Sequence, residues 1–171
     1  MKYTFLYRLS PVFILIISSL AILSFSTNGK EGNIKKVRTY WEEVWNKGNL
    51  KAVADFYHPN AKHGEDFTIE DFQKGVAFQR QAFPDFKVFI NDIFATGDKV
   101  ICEVTYTGTH TGRKIFGQEP LGKVVKVPGM DIFTFKDGKC ISHKHVADHL
   151  ELVRQMGITL TPAQIQKKPN E

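Results

Sequence analysis

The spacing of apolar residues along this chain changes once, close to Pro84, and that change limits the folds available to it. Before Pro84 the apolar residues recur at helical spacing, as in residues 34–47, which predicts a helix with one apolar face. After it they alternate with polar residues, so that Val100, Cys102 and Val104 share one face of a strand. Helices followed by consecutive strands predict an α+β fold, with the helices on one side of an antiparallel sheet.

Start and stop signals divide this pattern into elements. Thr68 with Asp71 predicts a capping box at the start of a helix that ends before Pro84. The pair Asp137-Gly138 predicts a hairpin turn, and Gly157 predicts the end of a last helix. The predicted helices are 34–47, 50–57, 68–83 and 149–156, and the predicted strands are 86–95, 100–110, 123–135 and 139–147, with a further short strand conceivable within 60–66.

Residues 1–26 are typical of an export signal. Basic residues precede an apolar run from Pro11 to Leu23, and small residues follow it. The run is shorter than the roughly 20 residues that a spanning helix needs, so we favour a cleaved signal peptide over an uncleaved membrane anchor. We therefore expect an exported protein, periplasmic or extracellular, with residues 33–158 as one domain and residues 159–171 as a flexible tail.

The charge distribution argues against nucleic acid as a partner. The net charge is +5, but the first 30 residues contain three basic residues and no acidic one, so the remainder of the chain is close to balanced. A domain of this kind lacks the basic surface that phosphate binding requires.

The two cysteines could form a disulfide in an oxidising compartment. However, Cys102 and Cys140 fall in predicted strands with another strand between them. Such positions lie about 10 Å apart, which is too far for a disulfide. We expect two buried thiols.

Five segments of the chain occur together, in this order, in one protein family: YWEEVWNKGNLKAVADFYHPNAKHG, AFPDF, YTGTHTG, VPGMDIFTFKDGKCISH and HVADHLELVRQMG. Through them the chain resembles the SnoaL-like polyketide cyclases, also called ester cyclases, of the nuclear-transport-factor-2-like superfamily. The resemblance covers nearly everything from Ile34 to Gly157. The chain departs from the family pattern at Lys144, where a Trp is common, and at Leu121, where a Thr is usual. Its substrate could therefore differ from those of the family.

The resemblance implies a cone-like curved sheet wrapped around helices, with a deep apolar cavity. It also implies closure of a polyketide ring by intramolecular aldol condensation, without a metal or organic cofactor, and with a single Asp as acid and base. The matching position is Asp148. Pairing of two copies through the sheet face is common for this resemblance.

Asp148 has two interpretations that predict opposite shifts of its pKa. In an apolar cavity its pKa would rise, which suits a general acid and base. As the residue before the last helix, with Glu151 three positions on, it would act as an N-cap whose anionic form is favoured. Strand alternation places Asp148 on the face of Lys144 and Val146 rather than that of His143, so only a bulge or the turn into the helix would bring it to a common site.

Further residues are candidates for the pocket wall because they are polar or aromatic groups on apolar faces, beside the Gly-rich loop 108–122 or, for His63, before a Gly in the first possible strand. They are His63, His110, Asp131, His143, Tyr40, Trp41 and Tyr106. Each also has a simpler interpretation: His110 could cap its strand, Asp131 could face water on the sheet, and the aromatic residues could be core. The pattern H-x-H-x-x-x-H at 143–149 could bind zinc, but spacing fixes no third ligand, so we expect no metal.

Two main functions remain open at this point. The first is an exported, cofactor-free enzyme that abstracts a proton from a small apolar carbonyl compound. The second is an exported protein that only binds an apolar ligand, which the export signal and the altered last strand favour. A hydrolase or isomerase on the same scaffold is a weaker alternative.

Overall fold

The computed structural model describes residues 29–62 and 68–158. The predicted export signal at 1–26 and the predicted tail at 159–171 lie outside the described residues. Within them, no helix is both long and apolar enough to cross a membrane.

The elements are α1 (29–40, continuing as a π-helix over Trp41–Asn46), α2 (Ala52–Phe56), β1 (Tyr57–Lys62), α3 (Ile69–Ala82), β2 (Lys87–Thr96), β3 (Lys99–Thr109), β4 (Val124–Lys136), β5 (Lys139–Ala147) and α4 (His149–Met156).

The strands form one curved sheet in the order β1-β5-β4-β3-β2. Strands β2 to β5 are antiparallel neighbours, and β1 is added in parallel beside β5. The register shifts within the β2–β3 pair after Ile90 and within the β4–β5 pair after Thr134. Such shifts bend the bulged strand and increase its twist. The α+β prediction is confirmed.

Local signals placed most of the boundaries correctly. The Thr68 side chain accepts the backbone N–H of Asp71, whose carboxylate accepts the backbone N–H of Thr68 in return, so the predicted capping box is present. Asp137 and Gly138 turn the β4–β5 hairpin with positive φ angles of 48° and 77°. Gly157 ends α4 in the left-handed conformation, with a φ of 72°.

The region after α2 differs from the prediction. We expected a helix to Tyr57 and a strand conceivable within 60–66, but α2 ends at Phe56 and β1 begins at Tyr57. Pro59 therefore lies inside a strand, which it tolerates because β1 is at the sheet edge and the missing N–H breaks no ladder on the outer side. Tyr57 itself is buried in the core.

The core fills the concave side of the sheet and is rich in aromatic rings. The ring of Tyr40 stacks on Phe56 at 4.2 Å and meets Phe133 edge-on at 5.7 Å. Cys102 on β3 and Cys140 on β5 are buried and free, with β4 between their strands, as predicted. Burial raises the pKa of each thiol to about 12.

Candidate active site

A cavity of about 500 Å³ lies between the helices and the concave face of the sheet. Aromatic side chains provide much of its wall: Trp41, Trp45, Phe72, Phe83, Phe86 and Tyr106. The two tryptophans come from the π-helical turn at the end of α1, a widened turn that is often found at functional sites. Polar groups reach the wall mainly from the last hairpin and the start of α4, through Asp131, His143, His145 and His149.

Asp131 is the buried carboxylate of this cavity. It is only 1% exposed and lies on β4 between Gly129 and Phe133 on the inward face. Its backbone pairs with Cys102 on β3 and with His145 on β5, so His143 is its diagonal neighbour. A buried carboxylate is costly unless it is hydrogen-bonded, and the structure supplies the donors.

Both oxygens of Asp131 have a hydrogen-bond donor. His143 Nε2 lies 2.7 Å from Oδ1, and the Tyr106 hydroxyl donates to Oδ2 at 2.5 Å. Burial, and then the charge of Asp131, raise the pKa of Tyr106 well above its usual value. Tyr106 is therefore a neutral donor beside the carboxylate.

Gly129 makes the contact between Tyr106 and Asp131 possible. Tyr106 pairs with Val127, two inward-facing positions away from Asp131 along β4, so its ring has to cross Gly129. A Cβ on Gly129 would lie 2.4 Å from Cε2 of Tyr106, closer than any real contact. Glycine inside a strand often marks such a close approach.

His143 is a neutral imidazole held on both sides. Burial lowers its pKa, and this outweighs the opposite effect of Asp131. The contact with Asp131, although short enough for an ion pair, is therefore a hydrogen bond between a neutral ring and a carboxylate at pH 7. On the other side, Nδ1 of His143 lies 2.7 Å from the hydroxyl of Tyr57.

The contacts continue from Tyr57 into the core. Its hydroxyl lies 3.2 Å from that of Tyr40, which accepts the indole N–H of Trp45 at 2.8 Å. Burial raises the pKa of both tyrosines well above the usual value. We call the series Trp45, Tyr40, Tyr57, His143 and Asp131 the buried polar chain.

Several predicted pocket residues do line the cavity: Trp41, Tyr106, Asp131 and His143. Tyr40 lies behind the wall, where its hydroxyl is linked to the lining residue His143 through the hydroxyl of Tyr57. His63 lies outside the described residues. The interpretation of Asp131 as a pocket group, rather than an exposed sheet residue, matches its position.

His110 does not line the cavity. It is fully buried, and its ring packs at 5.5 Å from that of Phe83, which forms the wall instead. Its Nε2–H donates to the carbonyl of Arg113 at 2.9 Å, and its backbone bonds to Lys123 and Gly122. The role of His110 is to hold the loop between β3 and β4.

Asp148 does not line the cavity either. It is exposed, and its Oδ1 accepts the backbone N–H of Glu151 at 2.8 Å, which makes it the N-cap of α4. Glu151 does not complete a capping box, because its carboxylate binds Arg154 at 2.6 Å. The geometry matches the capping interpretation, and the alternation of β5 explains it: positions 143, 145, 147 and 149 line the cavity while 148 faces away.

The three histidines of the predicted zinc alternative do not form a metal site. Among the residues that the structure describes, no group of three His, Cys, Asp or Glu side chains is arranged to hold a metal ion. Nε2 of His143 faces Asp131 and its Nδ1 faces Tyr57. The donor atoms of this ring are thus used inside the protein.

Sequence reasoning missed two residues of the site. Tyr57 was assigned only to a helix end, and its link to His143 depends on the parallel addition of β1 beside β5, which no local pattern indicates. Gly129 did carry a signal, since a glycine in the middle of an apolar strand next to an aspartate indicates a close approach.

Comparisons with known proteins agree with this architecture. The family model of the SnoaL-like polyketide cyclases matches residues 35–156. TsrD from Streptomyces laurentii is 24% identical with a TM-score of 0.68, over 74% of this chain and 96% of TsrD. A proposed polyketide cyclase from Acidithiobacillus ferrooxidans is 25% identical with a TM-score of 0.66, over 74% of this chain and 94% of that one.

AclR from Streptomyces galilaeus, described as a proposed hydroxylase, is 28% identical with a TM-score of 0.63, over 72% of this chain and 94% of AclR. No curated protein matches the chain. The cavity-bearing α+β fold and the family match lead to one conclusion: the chain belongs to the SnoaL-like polyketide cyclase family, with the nuclear-transport-factor-2-like fold.

Proposed function

We propose that this protein is a cofactor-free enzyme that closes a ring, or otherwise forms an enolate, in a small apolar carbonyl compound. The observation that carries the proposal is Asp131, a carboxylate at the wall of an aromatic cavity with a donor on each oxygen. A positioned carboxylate of this kind serves as a general base, and as a general acid once it is protonated.

The reaction needs no reagent beyond the substrate. A remaining lone pair of Asp131 takes a proton from the carbon next to a carbonyl. Once Asp131 is protonated, the Tyr106 hydroxyl turns from it and donates its hydrogen to the oxygen that carries the enolate charge. The enolate carbon attacks a second carbonyl of the same molecule, one C–C bond forms, and the new alkoxide takes the proton back from Asp131. Substrate and product are isomers.

The cavity favours a flat, apolar substrate. Its volume of about 500 Å³ is within the usual range for small-molecule sites, and its aromatic wall suits stacking on a conjugated molecule. Water has little access to the carboxylate, since Asp131 is 1% exposed, and electrostatic interactions are stronger in such a site.

The test is incubation of the purified protein with a panel of small diketones, keto esters and aromatic polyketide esters. We expect a product of unchanged mass, or of that mass less one water, and its loss in Asp131→Asn. Asn keeps an acceptor for His143 and offers an amide to Tyr106, so it preserves the packing while removing the base. Asp148→Asn is the matched control and should retain turnover.

The alternative is the exported protein that only binds an apolar ligand. Mass spectrometry of the purified protein distinguishes the two. An intact apolar molecule carried through purification, with no probe converted by the wild type, would replace the enzymatic proposal.

We also propose that a second copy of the chain covers the outer face of the sheet. Five large apolar side chains are at least half exposed on this face: Phe89, Phe94, Val124, Met130 and Val146. Met130 and Val146 are directly opposite each other across β4 and β5. Sedimentation of the purified protein should give a dimer, and Met130→Glu should give a monomer; a monomeric wild type would contradict the proposal.

For location, we propose export through residues 1–26. The support is the sequence of basic residues, apolar run and small residues. Cell fractionation and the intact mass of the protein test it: a mature chain lacking the segment indicates cleavage, a membrane-bound full chain indicates an anchor, and a soluble full-length chain inside the cell would contradict export.

A further inference from the structure

The buried polar chain has one end that only donates and one end that only accepts. The indole of Trp45 has an N–H and no acceptor, and the Asp131 carboxylate has only acceptors. Between them, Tyr40, Tyr57 and a neutral His143 each contribute one hydrogen. The members therefore supply four hydrogens for four contacts, at 2.8, 3.2, 2.7 and 2.7 Å.

The hydroxyl hydrogens can be arranged in two directions. The 3.2 Å contact by itself allows Tyr57 to donate to Tyr40, but His143 must then donate from Nδ1 to Tyr57, which leaves a bare Nε2 facing Asp131. The hydroxyl hydrogen of Tyr40 then points at no member of the buried polar chain. If instead Tyr40 donates to Tyr57 and Tyr57 donates to Nδ1, every contact has one hydrogen. Unsatisfied buried polar groups are costly, so the second arrangement is favoured.

We propose that Tyr57 is a positioning residue that keeps the proton of His143 on Nε2. This inference rests on the proposed function and deepens it. With Nε2 already protonated, His143 has no lone pair toward Asp131 and cannot take a proton from it.

The consequence concerns the path of the substrate proton. A proton removed from carbon by Asp131 stays on that carboxyl group, on the side of the cavity, and returns to the product alkoxide. The lowered pKa of His143 agrees with this role, because an imidazolium would place a second hydrogen between Nδ1 and Tyr57. Positioning residues commonly act this way: a hydrogen bond to one ring nitrogen of a histidine fixes the tautomer and thereby the protonation of the other nitrogen.

The experiment is nitrogen NMR of the histidine-labelled protein without any ligand, with the His143 signals assigned by their loss in His143→Gln. In the wild type we expect a protonated, pyrrole-type Nε2 and a bare, pyridine-type Nδ1. Tyr57→Phe removes the donor to Nδ1 and should shift both signals toward an average of the two tautomers. Tyr40→Phe, which removes a hydroxyl of the same kind but leaves the Tyr57–His143 contact, should retain the wild-type pattern.

A protonated Nδ1 in the wild type would overturn the inference, and so would an unchanged pattern in Tyr57→Phe. The wild-type spectrum decides on its own if that variant does not fold. A merely structural Tyr57 would alter stability without moving the tautomer signals. The measurement needs no substrate, so its failure is distinct from a failure of the proposed function, which Asp131→Asn tests through turnover.

Discussion

Asp131 and Asp148 belong to the same stretch of chain, the last hairpin and the turn that follows it, yet their environments are opposite. Asp131 is 1% exposed and accepts from His143 and Tyr106 within the cavity. Asp148 is exposed and accepts one backbone N–H at the start of α4. The same type of side chain is thus a candidate base at position 131 and a helix cap at position 148.

Strand alternation causes the difference. Successive residues of a strand point to opposite faces, so a residue at an odd distance from His143 faces away from the cavity. The sequence already indicated that Asp148 shares its face with Val146, and no bulge at the end of β5 changes this. A family resemblance points to a position in the chain, but the alternation decides which side of the sheet it occupies.

The largest expected effect is on turnover in Asp131→Asn. Because a positioned acid–base group contributes roughly 10²–10⁴-fold, we expect a loss of turnover of that order. Asp148→Asn keeps an N-cap and should leave turnover unchanged. Steady-state assay of both variants on one converted probe is the measurement, and a greater loss in Asp148→Asn would reverse the assignment.

Gly129→Ala should have the next largest effect, through Tyr106. The added Cβ meets the Tyr106 ring at 2.4 Å, so the ring must move and its hydroxyl leaves Asp131. We expect a loss of about 1–3 kcal/mol in the free energy of unfolding, as for overpacked cores, and a fall in turnover. Gly32→Ala is the control, since nothing lies within 4 Å of its new Cβ. Equal stability of the two variants in urea denaturation would contradict the explanation.

His143 should make stability depend on pH. Burial lowers its pKa below the value of 6.5 that applies to the unfolded chain, so the unfolded state binds the proton first as the pH falls. Stability contributed by the neutral ring is therefore present above about pH 6.5 and decreases below it, by at most about 1.4 kcal/mol per pH unit. Urea denaturation from pH 7.5 down to about pH 5 should show a steeper decrease for the wild type than for His143→Gln; parallel curves would be the contrary result.

The smallest effect should come from removing the cap at Asp148. Asp148→Ala leaves the N–H of Glu151 without its acceptor and should cost about 1 kcal/mol of stability. Asp148→Asn should restore most of it. A shift of the urea midpoint without a change in slope, together with normal turnover, would complete the contrast with Asp131.

Most of the fold could be predicted from local signals. The limits of β5 and α4, the capping box at Thr68 and the turn at Asp137-Gly138 all follow from short patterns. The start of β1 could not, because Tyr57 looks like a helix residue and becomes a strand residue only through its pairing with β5.

The site was predicted less completely. Asp131, His143, Tyr106 and Trp41 were among the candidates, and all of them line the cavity. His110 was also a candidate, but Phe83 takes its place at the wall. Burial alone did not distinguish these cases, since His110, just after the end of β3, and Asp131, within β4, are both residues of low exposure.

The sequence by itself determined the order of elements, the face on which most strand residues lie and the family to which the chain belongs. The first two follow from periodicity, which depends on neighbours a few positions away, and the family follows from the segments that the chain shares with it. Only the tertiary structure decided which inward-facing polar groups touch. Asp131, His143, Tyr106 and Tyr57 lie on four strands, and their contacts depend on the register of the sheet and on the space left by Gly129.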